Sequence, residues 1–447
     1  MGLLRLAGFK AVRITSFWVP GLSEPTPHEA MVLANVAMAA TLHGVRVYVS
    51  VFNEGSLTTP VTLTARKEFA SYAAAIVRDN PSFRDVIVGN EPNLNRFWMP
   101  QFDELGKSAS SPAYLRLLAL TYDALRAAAP DVRVWGGALG PRGVDRPFTR
   151  RDTISPTRFL RELGAAYRTS RRTRPIMDGF SFHPYPLNSS VAVDAVPSDP
   201  DHLGLIDQDR LVDLLGIAFN GTAQVGSGMP ILYDEFGIES VIPAHKRTLY
   251  SGLEPPSTRP VSEAAQAAAY QRAILLAYCQ SNVAGMLLFH TQDERGRPGW
   301  QSGLVYANGT PKSSLEPVRS AMEAAGSAAI GDCPLVSTAA TAFVTRDRMI
   351  SLRCDRDCEY SARLVRLPAA PPTVTWSGFA PAGKRVQVTL NHDVESGWYR
   401  LSVSIVHPTR PGRPLVRTSL PFPVRGSLQR SSSPPPEAMA PRFWLEP

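Results

Sequence analysis

From residue 11 to about 325, short runs of β-branched and aromatic residues alternate with longer Ala/Leu-rich runs. Strands that are apolar at nearly every position are buried on both faces, and helix-length segments between them return the chain to the same edge of a sheet. The pattern therefore predicts repeated βα units around a parallel sheet. Seven strands are expected: VRITSFW (12–18), VRVYVSVF (45–52), DVIVGNEP (85–92), VRVWGGAL (132–139), GFSFHPY (179–185), PILYDEF (230–236) and AGMLLFH (284–290). Helices are expected over 28–43, 64–79, 112–129, 156–168, 208–219, 263–280 and 313–325. Ser111-Pro112 and Ser155-Pro156 place a capping hydroxyl before a proline at the first helical position, where the missing N–H costs nothing.

Closing a barrel of this kind takes eight strands of matched tilt and shear, so one strand is missing from the pattern. The opening LLRLAG reads as the end of a helix stopped at Gly8, which puts the absent strand upstream of Met1. The opening residues have neither the apolar length nor the small-residue cleavage site of a signal peptide. The expectation is a (β/α)8 barrel over 1–328 that lacks its first strand, with a gap where that strand belongs and a signal peptide lost with it. Beyond residue 330 the period changes to two, in strands such as YSARLVRL, TVTWSGF and GWYRLSVSIV separated by Pro/Gly turns. This predicts a small all-β sandwich over 329–425. The tail 426–447, with SSSPPPEAMAP, is expected to be disordered.

Composition narrows the function classes. The net charge of +8 comes from 41 Arg against 6 Lys, scattered along the chain without interleaved aromatics, and no run is long and apolar enough for a membrane span. Neither a nucleic-acid partner nor a membrane-embedded segment is expected. The eight His are isolated, so no metal and no cofactor are expected. Of four cysteines, Cys354 and Cys358 are spaced for a local disulfide, which favours export to an oxidising compartment or the cell envelope; Cys279, on an apolar helix, reads as a buried thiol.

The chemistry lies at strand ends. In a parallel barrel these all open on one rim, so residues remote in sequence converge there. Glu91 ends VIVGNE and Glu235 ends ILYDE, strands four and seven once the missing first is counted. Two carboxyl groups across one pocket can divide the work of cleaving a glycosidic bond, one protonated and one ionised. Asn90, His183 and Tyr185 lie at strand ends, with Arg13 on a neighbouring part of the barrel, and His183 and Tyr185 share a face. Trp18, Phe97, Trp98, Phe102 and Trp300 follow strand ends as candidate platforms for sugar rings, with His290 beside them. The loops 187–207 and 241–262 are long enough to shape a cleft.

On Asn90-Glu91-Pro92-Asn93 and the placement of Glu235, residues 1–325 resemble glycoside hydrolase clan A. The NEPN string is most similar to family 39, and the set Arg13, Asn90, Glu91, His183, Tyr185 and Glu235 also resembles family 5. The resemblance implies a retaining glycosidase acting on an oligo- or polysaccharide, with β linkages expected, Glu91 as acid/base and Glu235 as nucleophile. It also implies that Asn90 contacts the sugar 2-hydroxyl, that Tyr185 and Arg13 hold Glu235 ionised, and that His183 belongs to the site. The chain departs from family 5 at VSVFN, where Asn53 stands in place of a histidine, and at Phe289-His290, where a tryptophan is usual.

Plainer readings stand beside these. Alternation along the strand points Asp234 away from Glu235, which makes it structural, and Glu239 reads the same way; Arg13 as a brace of the barrel interior and His183 as a core histidine are alternatives. Trp135 and Trp376 read as core, and Trp444 as a tail residue without a role. A different class of function is a non-catalytic glycan-binding or cell-surface module on a degenerate barrel. A metal-dependent hydrolase ranks last.

Overall fold

The computed structural model describes residues 1–330 except 196 and 281, then segments 341–344, 349–353, 358–367, 372–381, 385–389, 397–406, 415–418, 422–424 and 442–444. After a short helix α1 (Gly2–Leu6), units follow one another as β1 (Ala11–Trp18), α2 (Pro27–His43), β2 (Arg46–Asn53), α3 (Leu63–Asp79), β3 (Asp85–Val88) and α4 (Ser110–Ala128). They continue as β4 (Arg133–Leu139), α5 (Pro156–Thr169), β5 (Gly179–Phe182), α6 (Gln208–Phe219), β6 (Ile231–Phe236), α7 (Glu263–Cys279), β7 (Val283–Leu288) and α8 (Leu315–Gly326). The seven strands hydrogen-bond in parallel and in chain order, β1 to β7. This is the (β/α)8 type of barrel, open between β1 and β7, which are not hydrogen-bonded to each other.

Burial follows the opening. All of β2 but Arg46 is buried, and so is all of β3, whereas β1 and β7 beside the gap are mostly half-buried. Helix starts follow local chemistry: the hydroxyls of Thr26, Thr62, Ser155 and Ser262 accept the N–H three residues on. Ser155-Pro156 caps as expected, but α4 starts two residues before Pro112, with Ser108 Oγ accepting the Ser111 N–H at 3.3 Å. Pro112 is tolerated there because no N–H of a first turn has an intrahelical partner.

The remaining strands form two antiparallel sheets. One runs β11 (Pro372–Ala380), β10 (Cys358–Leu367), β13 (Gly397–Val406), β14 (Leu415–Thr418), with β15 (Phe422–Val424) also on β13. The other runs β12 (Arg385–Thr389), β9 (Met349–Arg353), β8 (Thr341–Val344), β16 (Arg442–Trp444). Tyr360, Ala362 and Leu364 on β10 and Tyr399 and Leu401 on β13 are buried at every second position, so each strand hides one face. The segment expected to be unpacked thus supplies β16, which pairs with β8; most of 426–447 lies outside the described residues. Trp135 is buried, as expected for core, and Trp376 is half-buried. Cys279 is corrected from a free thiol: it is disulfide-bonded. Cys333 and Cys354 lie outside the described residues, and with them the expected Cys354–Cys358 bridge.

Candidate active site

The rim where the strands end carries six of the expected residues in one cluster. Arg13 points inward from β1, and its guanidinium pairs with Glu235 while donating to Ser50 Oγ at 3.0 Å and Asn90 Oδ1 at 2.8 Å. Its Nε lies 3.6 Å from Asp234 Oδ2. His183, one residue beyond β5 and fully buried, places Nδ1 3.0 Å from Glu91 Oε1 and 3.6 Å from Glu235 Oε2. Tyr185 donates its hydroxyl to Glu235 Oε2 at 3.1 Å. One nitrogen therefore reaches both carboxyl groups. Those two distances laid end to end set an upper limit on the separation of the two carboxylate oxygens.

Local backbone sets Glu91. The strand expected over 85–92 stops at Val88, because Gly89 adopts φ +86° and Glu91 itself φ +39°. A Cβ at residue 89 would sit 2.9 Å from the Tyr114 ring, so glycine is required on both counts. Left-handed backbone at a glutamate costs of order 1–3 kcal/mol, and the Glu91 N–H is held by the Ala138 carbonyl at 2.8 Å. Tyr114 ties the ends of β3 and β4 together, donating to Val88 O at 2.7 Å and accepting the Gly137 N–H at 2.8 Å. Gly140 leaves room beside Glu91: a Cβ there would meet Glu91 Oε1 at 3.1 Å.

Charges divide between the groups. Burial works against ionisation of Glu235, but the His183 and Arg13 cations and the hydrogen bonds from Arg13 and Tyr185 outweigh it and hold the carboxyl below its ordinary range. Burial also opposes a charged His183, yet Glu235 and Asp234, with contacts to Asp234 and Glu91, push its pKa up to about 10. Glu239, which lines the same cavity, is pushed up to about 7 by its own burial.

A cavity of about 1470 Å³ contains the site. Its lining runs on through the opening between β1 and β7 to Gly8, Met322 and Gly326 at the far end of the barrel, so that volume exceeds the rim pocket. At the rim it is walled by Phe97, Trp300 and His290, and by Leu187, Asn188, Ser189, Ser257 and Thr258 of the two long loops. Trp300 packs 5.2 Å from the Tyr185 ring and 5.4 Å from Phe289. His290 is kept below its ordinary pKa by burial, which outweighs the neighbouring carboxylates; its Nδ1 lies 3.6 Å from Glu294.

Other expectations are corrected. Trp18 is fully buried, donates to Leu22 O at 2.9 Å and meets Phe69 edge-on, so it is core and not platform. Trp98 is buried edge-on against Tyr114, and Phe102 is buried as well. Asn53 binds the carbonyls of Gly55 and Phe97, pinning the loop after β2. Asp234 does not point away: its Oδ2 lies 3.2 Å from His183 Nε2, because the register between β6 and β7 slips between Tyr233 and Phe236 and strict alternation fails there. Sequence reasoning also missed Ser50, whose signal is one hydroxyl inside the apolar run VYVSVF, and Arg142, which lines the cavity while donating to the carbonyls of Tyr185 and Pro186.

No family model matches the chain, and no curated protein matches it. Among solved structures, a family 39 glycoside hydrolase from Bacteroides cellulosilyticus WH2 is similar at 16% identity and TM-score 0.49, over 87% of this chain and 77% of that one. GH5_18 from Streptomyces cattleya, solved in complex with GlcNAc, is similar at 17% identity and TM-score 0.49, over 75% of this chain and 76% of its own. β-Glucuronidase 2 of Bacteroides uniformis is similar at 12% identity and TM-score 0.43; 95% of this chain covers 42% of that protein's length.

Proposed function

We propose that this protein is a retaining glycosidase in which Glu235 is the nucleophile and Glu91 the general acid/base. The observation that carries the reading is His183 Nδ1 within 3.0 Å of one carboxyl group and 3.6 Å of the other, on strand ends remote in sequence. In the first step Glu235 attacks the anomeric carbon while Glu91 gives its proton to the departing oxygen, leaving a glycosyl ester and an ionised Glu91. In the second, Glu91 takes a proton from water, whose oxygen displaces Glu235 and restores the starting charges.

The neighbouring side chains fit these roles. Arg13, His183 and Tyr185 keep Glu235 ionised before attack. Arg13 occupies Asn90 Oδ1, which leaves the Asn90 amide N–H groups free to donate to a sugar 2-hydroxyl, a contact that strengthens as positive charge develops on the ring. Trp300, backed by Tyr185 and Phe289, offers the apolar face of an indole to a sugar. The substrate is an O-linked oligo- or polysaccharide, with a β linkage; no cofactor takes part. The disulfide at Cys279 agrees with an exported protein.

The test uses activated aryl glycosides of gluco, xylo, manno and galacto configuration. Glu235→Ala should abolish turnover, and azide should restore it with release of a glycosyl azide of inverted configuration. Absence of wild-type turnover across the panel favours a glycan-binding module instead.

A further inference from the structure

The proposed mechanism uses two carboxyl groups, yet the structure holds a third in contact with the same imidazole. Asp234 lies on β6 next to Glu235, with a side chain that has no exposed surface. Its Oδ2 faces His183 Nε2 at 3.2 Å and Arg13 Nε at 3.6 Å. Neither Asp234 oxygen nor His183 Nε2 has a straight hydrogen-bond partner, so the contact acts chiefly through charge. A buried carboxylate in that position depends on its two cations, and they depend on it.

His183 is thus flanked by carboxyl groups at both nitrogens, and both can donate only when the ring carries two protons. The titratable and charged groups around it are Glu91 after β3, Asp234 and Glu235 on β6, Tyr185 beyond its own strand and Arg13 on β1. Arg142 interacts with Glu91 through charge, and Tyr114 of α4 interacts electrostatically with Asp234. Taken with the glycosidase reading, on which the inference rests, this arrangement has a consequence during turnover. As the ester forms, Glu235 loses its negative charge and Glu91 gains one. The charge moves between the two oxygens that His183 Nδ1 already reaches. A fixed imidazolium between them serves both stages, provided it keeps its proton when Glu235 is neutral.

We propose that Asp234 is a positioning residue that keeps His183 doubly protonated through the reaction and orients its ring so that Nδ1–H spans the acid/base and the nucleophile. Asp234 touches no substrate; it acts through the imidazole. The raised His183 pKa, about 10 despite a burial that works against it, agrees with this role.

The test is Asp234→Asn, which keeps shape and removes charge. With an activated glycoside, kcat should fall about 10- to 100-fold, the scale of one lost charge–charge contact in a buried site, with KM little changed. The alkaline limb of kcat should move to lower pH. In a His183→Gln background the same substitution should cost no more than about twofold, because its route to the reaction is gone. Nitrogen-15 NMR of histidine-labelled protein at pH 8 should show His183 doubly protonated in the wild type and neutral in Asp234→Asn. An unshifted alkaline limb, additive effects in the double variant, or a neutral His183 in the wild type overturns the proposal. The NMR comparison needs no turnover and its wild-type half needs no variant, so a neutral His183 there overturns the proposal even if no glycoside is cleaved and the glycosidase reading itself fails.

Discussion

Replacing Arg13 with methionine tests how Glu235 is held ionised. The substitution removes a guanidinium that is 9% exposed and that contacts Glu235, Asn90, Ser50 and Asp234 at once. It leaves two carboxylates, 13% and 0% exposed, with His183 as the remaining cation in direct contact. Removing one partner of a buried pair costs about 3–5 kcal/mol. The pH dependence has a definite sign. The folded pKa of Glu235 is depressed, so its ionisation adds stability at neutral pH that is lost as pH falls through the folded value. Without Arg13 that pKa rises, so the stability gap between wild type and variant should be widest near pH 7 and narrow towards pH 4. The acid limb of kcat/KM should move to higher pH for the same reason. Arg13→Lys keeps the charge but not the fork; it should recover part of the stability while kcat stays low, because Asn90 loses its orienting donor. Urea unfolding at several pH values and a pH–rate profile read both effects. A variant as stable as wild type at pH 7, or an unmoved acid limb, refutes the reasoning.

Tyr185→Phe removes one hydrogen bond to Glu235 and should lower kcat about tenfold, with the urea midpoint nearly unchanged; steady-state kinetics showing full activity would contradict the contact's role. The two tryptophans separate cleanly: Trp98→Ala should destabilise by about 3–5 kcal/mol as a core deletion, whereas Trp300→Ala should raise KM with a smaller loss of stability, both read by unfolding and saturation curves. Lys312 is buried against Asp293 at 2.8 Å and also binds Ser240 and Gln301, so Lys312→Met should cost about 3–5 kcal/mol, and an unchanged urea midpoint would show that this cluster does not brace the loops after β6 and β7.

Much of this was legible before any coordinates, and for a physical reason. Strands buried on both faces must be apolar throughout, so VYVSVF and DVIV announce themselves, and Glu91 and Glu235 stand out as charges where such runs end. Convergence on one rim then follows from parallel topology. What could not be read was side-chain direction after the strands end. Trp98 and Trp300 both follow strands, yet the Trp98 ring turns into the core to meet Tyr114, as does Trp18 at the end of β1 to meet Phe69. Alternation misplaced Asp234 because it assumes an unbroken register, and the register slips where the site is built.

The most direct test of the central claim is the configuration of the first product released. Proton NMR of an activated glycoside during its first minutes of hydrolysis distinguishes the newly formed hemiacetal anomer before mutarotation equilibrates it. With Glu91 and Glu235 near enough to share His183, the first product should be an anomer of the same configuration as the substrate. An inverted first product would mean that water, not Glu235, attacks the anomeric carbon, and the assignment of these two residues would be wrong.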